Sequence, residues 1–131
     1  MRQFLQKKIL SIGHNFDLLR FRNAVIQNAG YQVITTKETA LVLQVASKQD
    51  IDAVVICDSV PTHLKENIAR ELKRLKPEVP LIIICRDDER NRFQNLAEEV
   101  VIAPRETSQQ PLIEAIARVA GRPQENLRKA L

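Results

Sequence analysis

The residues of this chain best suited to chemistry are few, and they stand at the ends of apolar runs. Cys57 closes the run Ala53-Val54-Val55-Ile56, and Cys85 closes Leu81-Ile82-Ile83-Ile84. His14 follows Lys8-Ile9-Leu10-Ser11-Ile12 within the turn-forming triplet Gly13-His14-Asn15. Thiolates and imidazoles are ligands for zinc and copper, and paired thiols can cycle through a disulfide. His14, Cys57 and Cys85 therefore form a candidate metal or redox set. Against it, three ligands scattered over three loops do not have the spacing of a metal motif. Free cysteine is also among the residues most often packed inside as a small hydrophobe. Packing is the expected role, with no metal and no cofactor. The chain has no C-x-x-C and no disulfide framework, so reduced thiols are expected.

The elements that position these residues alternate regularly. Five β-branched or apolar runs read as strands: 8–12, 31–35, 53–57, 81–85 and 100–102. Between them lie segments of helical period. Over 17–29 the apolar positions Leu18, Phe21, Val25 and Ala29 recur at that spacing, with Leu19 and Ile26 beside them. Gly30 is placed to end this helix. A weaker helix covers 39–46. A longer one covers 62–76, its stripe Leu64, Ile68, Leu72 and Leu75, with Lys65, Arg70, Lys73, Arg74 and Lys76 on a solvated outer face. The charged stretch 87–96, including Asp87-Asp88-Glu89-Arg90, predicts a short or irregular helix with a solvated face. His63 reads as a solvated helix-start residue. The last helix spans 107–120, with Leu112, Ile116, Val119 and Ala120 on one stripe, and Gly121-Arg122-Pro123 stops it. Strand–helix repeats with fully apolar strands predict a parallel sheet covered on both faces. Ligands of such sheets sit outside the carboxyl ends of the strands, where Cys57, Cys85 and His14 stand.

At 131 residues, 44% hydrophobic and 27% charged, the chain has the size and composition of one globular domain. No apolar run is long enough to span a membrane, and the start MRQFLQKKIL lacks the apolar core of a signal peptide, so a cytoplasmic location is expected. The net charge of +4 is spread along the chain. With aromatic residues at 4% and no tryptophan to stack on bases, no specific nucleic-acid partner is expected. Enzymes of the α/β class would show a glycine-rich phosphate loop or a nucleophile elbow. Neither is present, glycine occurs only three times, and no enzymatic activity is expected.

One family shares this pattern. KKILSIGHNFDLLRFRNAVIQNAGYQVITT resembles the opening of a bacterial response-regulator receiver (CheY-like) domain: a basic start, a buried strand, a loop, an "LL" helix, "AGY" and a second strand. DAVVICDSVP resembles the family's third strand and loop, PEVPLIIIC its fourth strand, and VVIAP its fifth strand with its proline. The resemblance covers about residues 7–120. It implies a flavodoxin-like, doubly wound five-stranded parallel sheet in the order 2-1-3-4-5. It also implies a domain over 1–121 followed by a polar tail over 122–131.

The residues a receiver uses for phosphoryl transfer do not carry over. Its Mg²⁺-holding acidic pair falls on Gly13 and His14. Its phosphoacceptor aspartate, four residues before the loop proline Pro61, falls on Cys57. Its hydroxyl residue falls on Cys85, its lysine on Ala103, and its aromatic switch residue on Val100. Aspartyl phosphorylation needs a carboxylate nucleophile, a hard cation on oxygen ligands and a cation for the phosphoryl oxygens. Asp58 stands one residue late, and one step along a strand turns a side chain to the opposite face. The degenerate pocket is thus Gly13, His14, Cys57, Asp58, Cys85 and Ala103. Cys57 and Cys85 are expected at the same edge of the sheet, within side-chain reach and unbonded. The resemblance implies a stand-alone, two-component (phosphorelay) type module that binds another signalling protein or itself, independently of phosphorylation. Its interaction surface would include Val100, Pro104 and Arg105, and its output would be supplied in trans.

Overall fold

A computed structural model describes residues 6–36, 38–103 and 109–123. Five strands, β1 (Lys8–Ile12), β2 (Gln32–Thr36), β3 (Ala53–Ile56), β4 (Leu81–Cys85) and β5 (Glu99–Ile102), form one parallel sheet in the order β2-β1-β3-β4-β5. Helices α1 (Phe16–Asn28), α2 (Val42–Lys48), α3 (Thr62–Leu75), α4 (Arg90–Phe93) and α5 (Gln110–Ala120) connect and cover it. The expected doubly wound fold and strand order are observed. Short 3-10 turns precede α2 (Thr39–Leu41) and α4 (Asp87–Glu89).

Each face of the sheet carries its own core. Alternation along β3 and β4 sends Val54, Ile56, Leu81, Ile83 and Cys85 to one side, with Ile68, Ala69 and Leu72 of α3 and Phe93 of α4. It sends Ala53, Val55, Cys57, Ile82 and Ile84 to the other, with Leu19 and Ile26 of α1 and Leu112, Ala115 and Ile116 of α5. Strands covered twice must be apolar at every position, which is why β3 and β4 read as unbroken runs. Each such side chain contributes about 1.5–3 kcal/mol of burial.

The helix ends follow their local chemistry. The Asn15 side chain accepts the Leu18 backbone N–H at 3.0 Å and caps α1. Gly30, at φ +107°, ends α1 in a conformation that L side chains rarely adopt. A Cβ there would also come within 3.0 Å of Pro123.

Three helix faces differ from the pattern of hydropathy. In α1 the buried residues are Leu19, Arg22 and Ile26, while Phe21 is 46% exposed. In α3 Lys65 is buried beside Ile68, Ala69 and Leu72, while Leu64 is half-buried and Leu75 exposed. The supposed solvated stripe of α3 therefore loses its first member. In α5 Leu112, Ala115 and Ile116 are the buried residues, and Val119 and Ala120 are half-buried. The helix-start residue His63 is exposed, as expected. Among the expected elements, residues 107–108 of the last helix and 124–131 of the polar tail lie outside the described residues.

Candidate functional site

The carboxyl edge of the sheet is built from the loops after β1, β3, β4 and β5. The Cys57 N–H donates to the Ile12 carbonyl at 2.8 Å, which carries the β1–β3 ladder one residue past Ile56. The Val60 N–H then returns to the Cys57 carbonyl at 3.2 Å and turns the chain toward Pro61. This turn brings Ser59 back over β1, where its Oγ accepts the His14 backbone N–H at 2.9 Å. The Ala103 N–H donates to the Cys85 carbonyl at 2.7 Å, joining the ends of β4 and β5.

Gly13 is buried, and a side chain there would need its neighbours to give way by a few tenths of an ångström. A Cβ on Gly13 would lie 3.1 Å from Leu19 Cδ1, 3.3 Å from Ser59 Oγ and 3.4 Å from Cys57 Cβ. Gly13 and Cys57 thus adjoin, and the walls around them are a leucine, a hydroxyl and a thiol. His14 is exposed, with its backbone rather than its ring tied to the neighbouring loop.

The two thiols do not converge. Cys57 belongs to the core on the α1/α5 face and Cys85 to the core on the α3/α4 face. They share the carboxyl edge, but the sheet stands between them. The expected side-chain proximity of Cys57 and Cys85 is therefore corrected, and with it the three-ligand set His14, Cys57 and Cys85. The cause is register: Val54 pairs with Leu81 and Ile56 with Ile83, so the odd residues of β4 share a face with the even residues of β3. Among the described residues no group of three or more His, Cys, Asp or Glu is placed to hold a metal. With the two sulfurs on opposite faces, the assignment of Cys57 to the phosphoacceptor position falls too, and Asp58 returns as the candidate carboxylate.

Asp58 is engaged by a cation that the sequence pattern hid. Arg22 projects from α1 and is 2% exposed, and its Nη1 donates to Asp58 Oδ1 in an ion pair. The Arg22 Nε and the Ser11 Oγ are buried without a partner among the described residues. Cys57 lies in this environment. Burial pushes its thiol above the ordinary value, and the Arg22 cation pulls it back in part.

A second cation serves the other face. Lys65 of α3 is 1% exposed, and its Nζ donates to the Ile84 carbonyl at 3.1 Å. It lies 3.9 Å from Glu89 Oε1 and 5.2 Å from the centre of the Phe93 ring. Burial lowers the Lys65 pKa against the opposing pull of Glu89, Cys85 and Asp58. Burial raises the Cys85 thiol, against the pull of Lys65. Glu89 is half-buried rather than solvated. It accepts from Thr62 Oγ1 and from the Arg86 backbone N–H, and its carboxyl is held below the usual range. The edge thus carries two self-compensated pairs, Arg22–Asp58 and Lys65–Glu89, where a divalent-cation site would need unpaired oxygen ligands.

Of the remaining expected positions, Ala103 and Val100 are half-buried at the β5 side, and Pro104 and Arg105 lie outside the described residues. Residue type alone does not mark Arg22, Lys65 and Glu89 as site residues. Their signal was position: Arg22 stands on the stripe of Leu19 and Ile26, and Lys65 on that of Ile68 and Leu72. A cavity of about 450 Å³ lies at the opposite, amino end, lined by Asp50, Asp52, Glu78 and Ala120 among others. No helix among the described residues is long and apolar enough to cross a membrane.

Both buried thiols lie in environments that favour the unreactive thiol form. Labelling of the native protein by an aromatic disulfide reagent is expected to run at least about a hundredfold slower than in denaturant, because each sulfur is reached only by local opening. Fast labelling of either cysteine in the folded state would contradict these positions.

No family model matches the chain, and no curated protein matches it in sequence. Solved structures do match its fold. The response regulator TrrA from Thermotoga maritima, in complex with Mg²⁺ and beryllofluoride, superposes with a TM-score of 0.76 at 18% identity, covering 86% of this chain and 98% of that one. A response regulator receiver domain from Clostridium thermocellum gives 0.76 at 22% identity, covering 95% and 98%. A streptococcal protein, described among redox sensors evolved from two-component response regulators, gives 0.73 at 19% identity, covering 95% of this chain and 55% of that one. The chain therefore has the fold of receiver domains.

Proposed function

We propose that this chain is a receiver-like module of two-component type that signals by binding another protein, or a second copy of itself, without aspartyl phosphorylation. The observation that carries the reading is the Arg22–Asp58 pair. The one carboxylate among Gly13, His14, Cys57, Asp58, Cys85 and Ala103 is tied to a buried guanidinium. An acidic side chain in place of Gly13 would press on Leu19 and Ser59, which would have to give way slightly. A carboxylate in a charge-assisted hydrogen bond is a poorer nucleophile, and none of the other five positions is a carboxylate to share a Mg²⁺. The receiver fold of the structural neighbours supports the signalling class, although fold by itself does not choose a function. The contact surface in this reading is the side of the sheet around Val100, with Pro104 and Arg105. This reading assigns the module no catalytic residue, no cofactor and a cytoplasmic location.

The test is incubation with acetyl phosphate and Mg²⁺, followed by intact mass. The expected result is an unchanged mass. A stoichiometric gain of one phosphoryl group, lost in Asp58→Asn, would overturn the proposal and make Asp58 a working phosphoacceptor.

A further inference from the structure

The segment from Arg86 to Glu98 has little of its own to hold it in place. It contains a 3-10 turn and the four-residue α4, and a helix of one turn is not stable by itself. Its position must come from tertiary contacts. At its far end the Leu81 backbone N–H donates to Glu98 Oε1 at 2.7 Å and the Leu81 carbonyl accepts the Glu98 N–H at 2.9 Å. The other polar contacts come from one helix, α3. Thr62 Oγ1 donates to Glu89, Lys65 stands beside Glu89, Glu66 pairs with Arg92 at 3.7 Å, and Lys73 pairs with Glu98. Positions 62, 65, 66 and 73 fall along one side of a helix, so α3 offers this segment a polar seam interrupted by the buried Ala69.

The contacts in the seam are not equal. Arg92 is more than half exposed, and both members of the Lys73–Glu98 pair reach solvent, so these pairs are weak. Lys65 is different because it is buried and its stabilising partners belong to β4 and the segment. These are the Ile84 carbonyl, the Glu89 carboxylate and the face of the Phe93 ring. If the segment lifted away, Lys65 would lose Glu89 and Phe93 together and keep only the Ile84 carbonyl and the pull of Cys85 and Asp58, and a buried ammonium so poorly compensated is costly.

We propose that Lys65 is an internal counter-ion that clamps the segment from Arg86 to Glu98 onto α3 and thereby sets the α4–β5 side of the domain in one arrangement. The functional weight of this clamp rests on the reading of that side as the contact surface, but the clamp itself does not. The half-burial of Glu89 in an otherwise exposed Asp87-Asp88-Glu89-Arg90 stretch follows from the same contact.

The experiment is amide hydrogen exchange on the full chain, without any partner. Lys65→Met keeps the length of the side chain and removes its charge. Glu89→Gln keeps an acceptor for Thr62 and strips Lys65 of its counter-ion. Each is expected to speed exchange across 86–97 by roughly tenfold or more, while β1 and β3 stay protected. In the double variant the two effects should not add, because each removes the same contact. Lys73→Met, at an exposed pair, should leave exchange at 87–93 unchanged. Folded Lys65→Met protein with unchanged protection over 86–97 would overturn the clamp. If Lys65→Met does not fold, the Glu89→Gln result decides in the same way. Because no partner or phosphodonor enters the measurement, its outcome is independent of the phosphorylation test.

Discussion

Replacing Asp58 by alanine is expected to destabilise the fold by about 3 kcal/mol, the lower end of the range for orphaning one member of a buried ion pair. The argument concerns Arg22 more than Asp58. The guanidinium is 2% exposed, and arginine does not escape burial by losing its proton. Its Nε already lacks a partner, so Asp58 is its one charge-compensating contact among the described residues. The Asp58 carboxylate is a quarter exposed, which admits some solvent and argues for the lower figure. Asp58→Asn keeps an oxygen for the Arg22 N–H and should cost less, about 1–2 kcal/mol. The sign is diagnostic. In a pocket of clustered carboxylates, deleting one relieves like-charge repulsion and stabilises. Urea denaturation at constant m-value reads the difference. An Asp58→Ala midpoint equal to or above that of the parent would mean that the pair is not self-compensating, and the proposed silence of the site toward phosphodonors would lose its main support.

How much of this was legible in the sequence depends on the range over which each signal acts. β3 and β4 were legible because double coverage forces every residue to be apolar, and the flanking Pro61, Pro77 and Pro80 bound them. The end of α1 was legible because Gly30 is a local requirement of the backbone. The faces of α1 and α3 were not, because hydropathy sends Arg22 and Lys65 outward by residue type. Their heads reach groups at the sheet edge from neighbouring strands and loops, Asp58 in one case and Ile84 and Glu89 in the other. The side-chain stem buries with the stripe, and the charge is satisfied 36 residues away in the case of Arg22. The relation of Cys57 to Cys85 failed for a related reason. Each run reads correctly alone, but whether two runs share a parity is set by strand register. Nothing local in either run fixes Val54 opposite Leu81.

The largest hydrophobic effect is expected at Phe93, where substitution by alanine should cost about 3–5 kcal/mol. Phe93 is fully buried in the core of the α3/α4 face, yet it closes a helix of only four residues within a charged stretch. The cost combines a ring-sized cavity with the loss of the chief apolar anchor of α4, which Leu96 and Ala97 support only from a half-buried position. It also removes the aromatic face beneath the Lys65 ammonium. Two other phenylalanines set the scale: Phe16 is 51% and Phe21 46% exposed, and Phe21→Ala should stay within about 1 kcal/mol of the parent. Sequence alone favours the reverse order, since Phe21 lies on a well-patterned helix and Phe93 in a poorly patterned one. Urea or thermal unfolding of the two variants ranks them directly. If Phe21→Ala proves the costlier change, the buried face of α1 is misassigned, and Arg22 would no longer be placed to meet Asp58. If Phe93→Ala costs less than about 1 kcal/mol, far below the cost of emptying a core site, α4 is held by its polar seam alone and the ring under Lys65 contributes little.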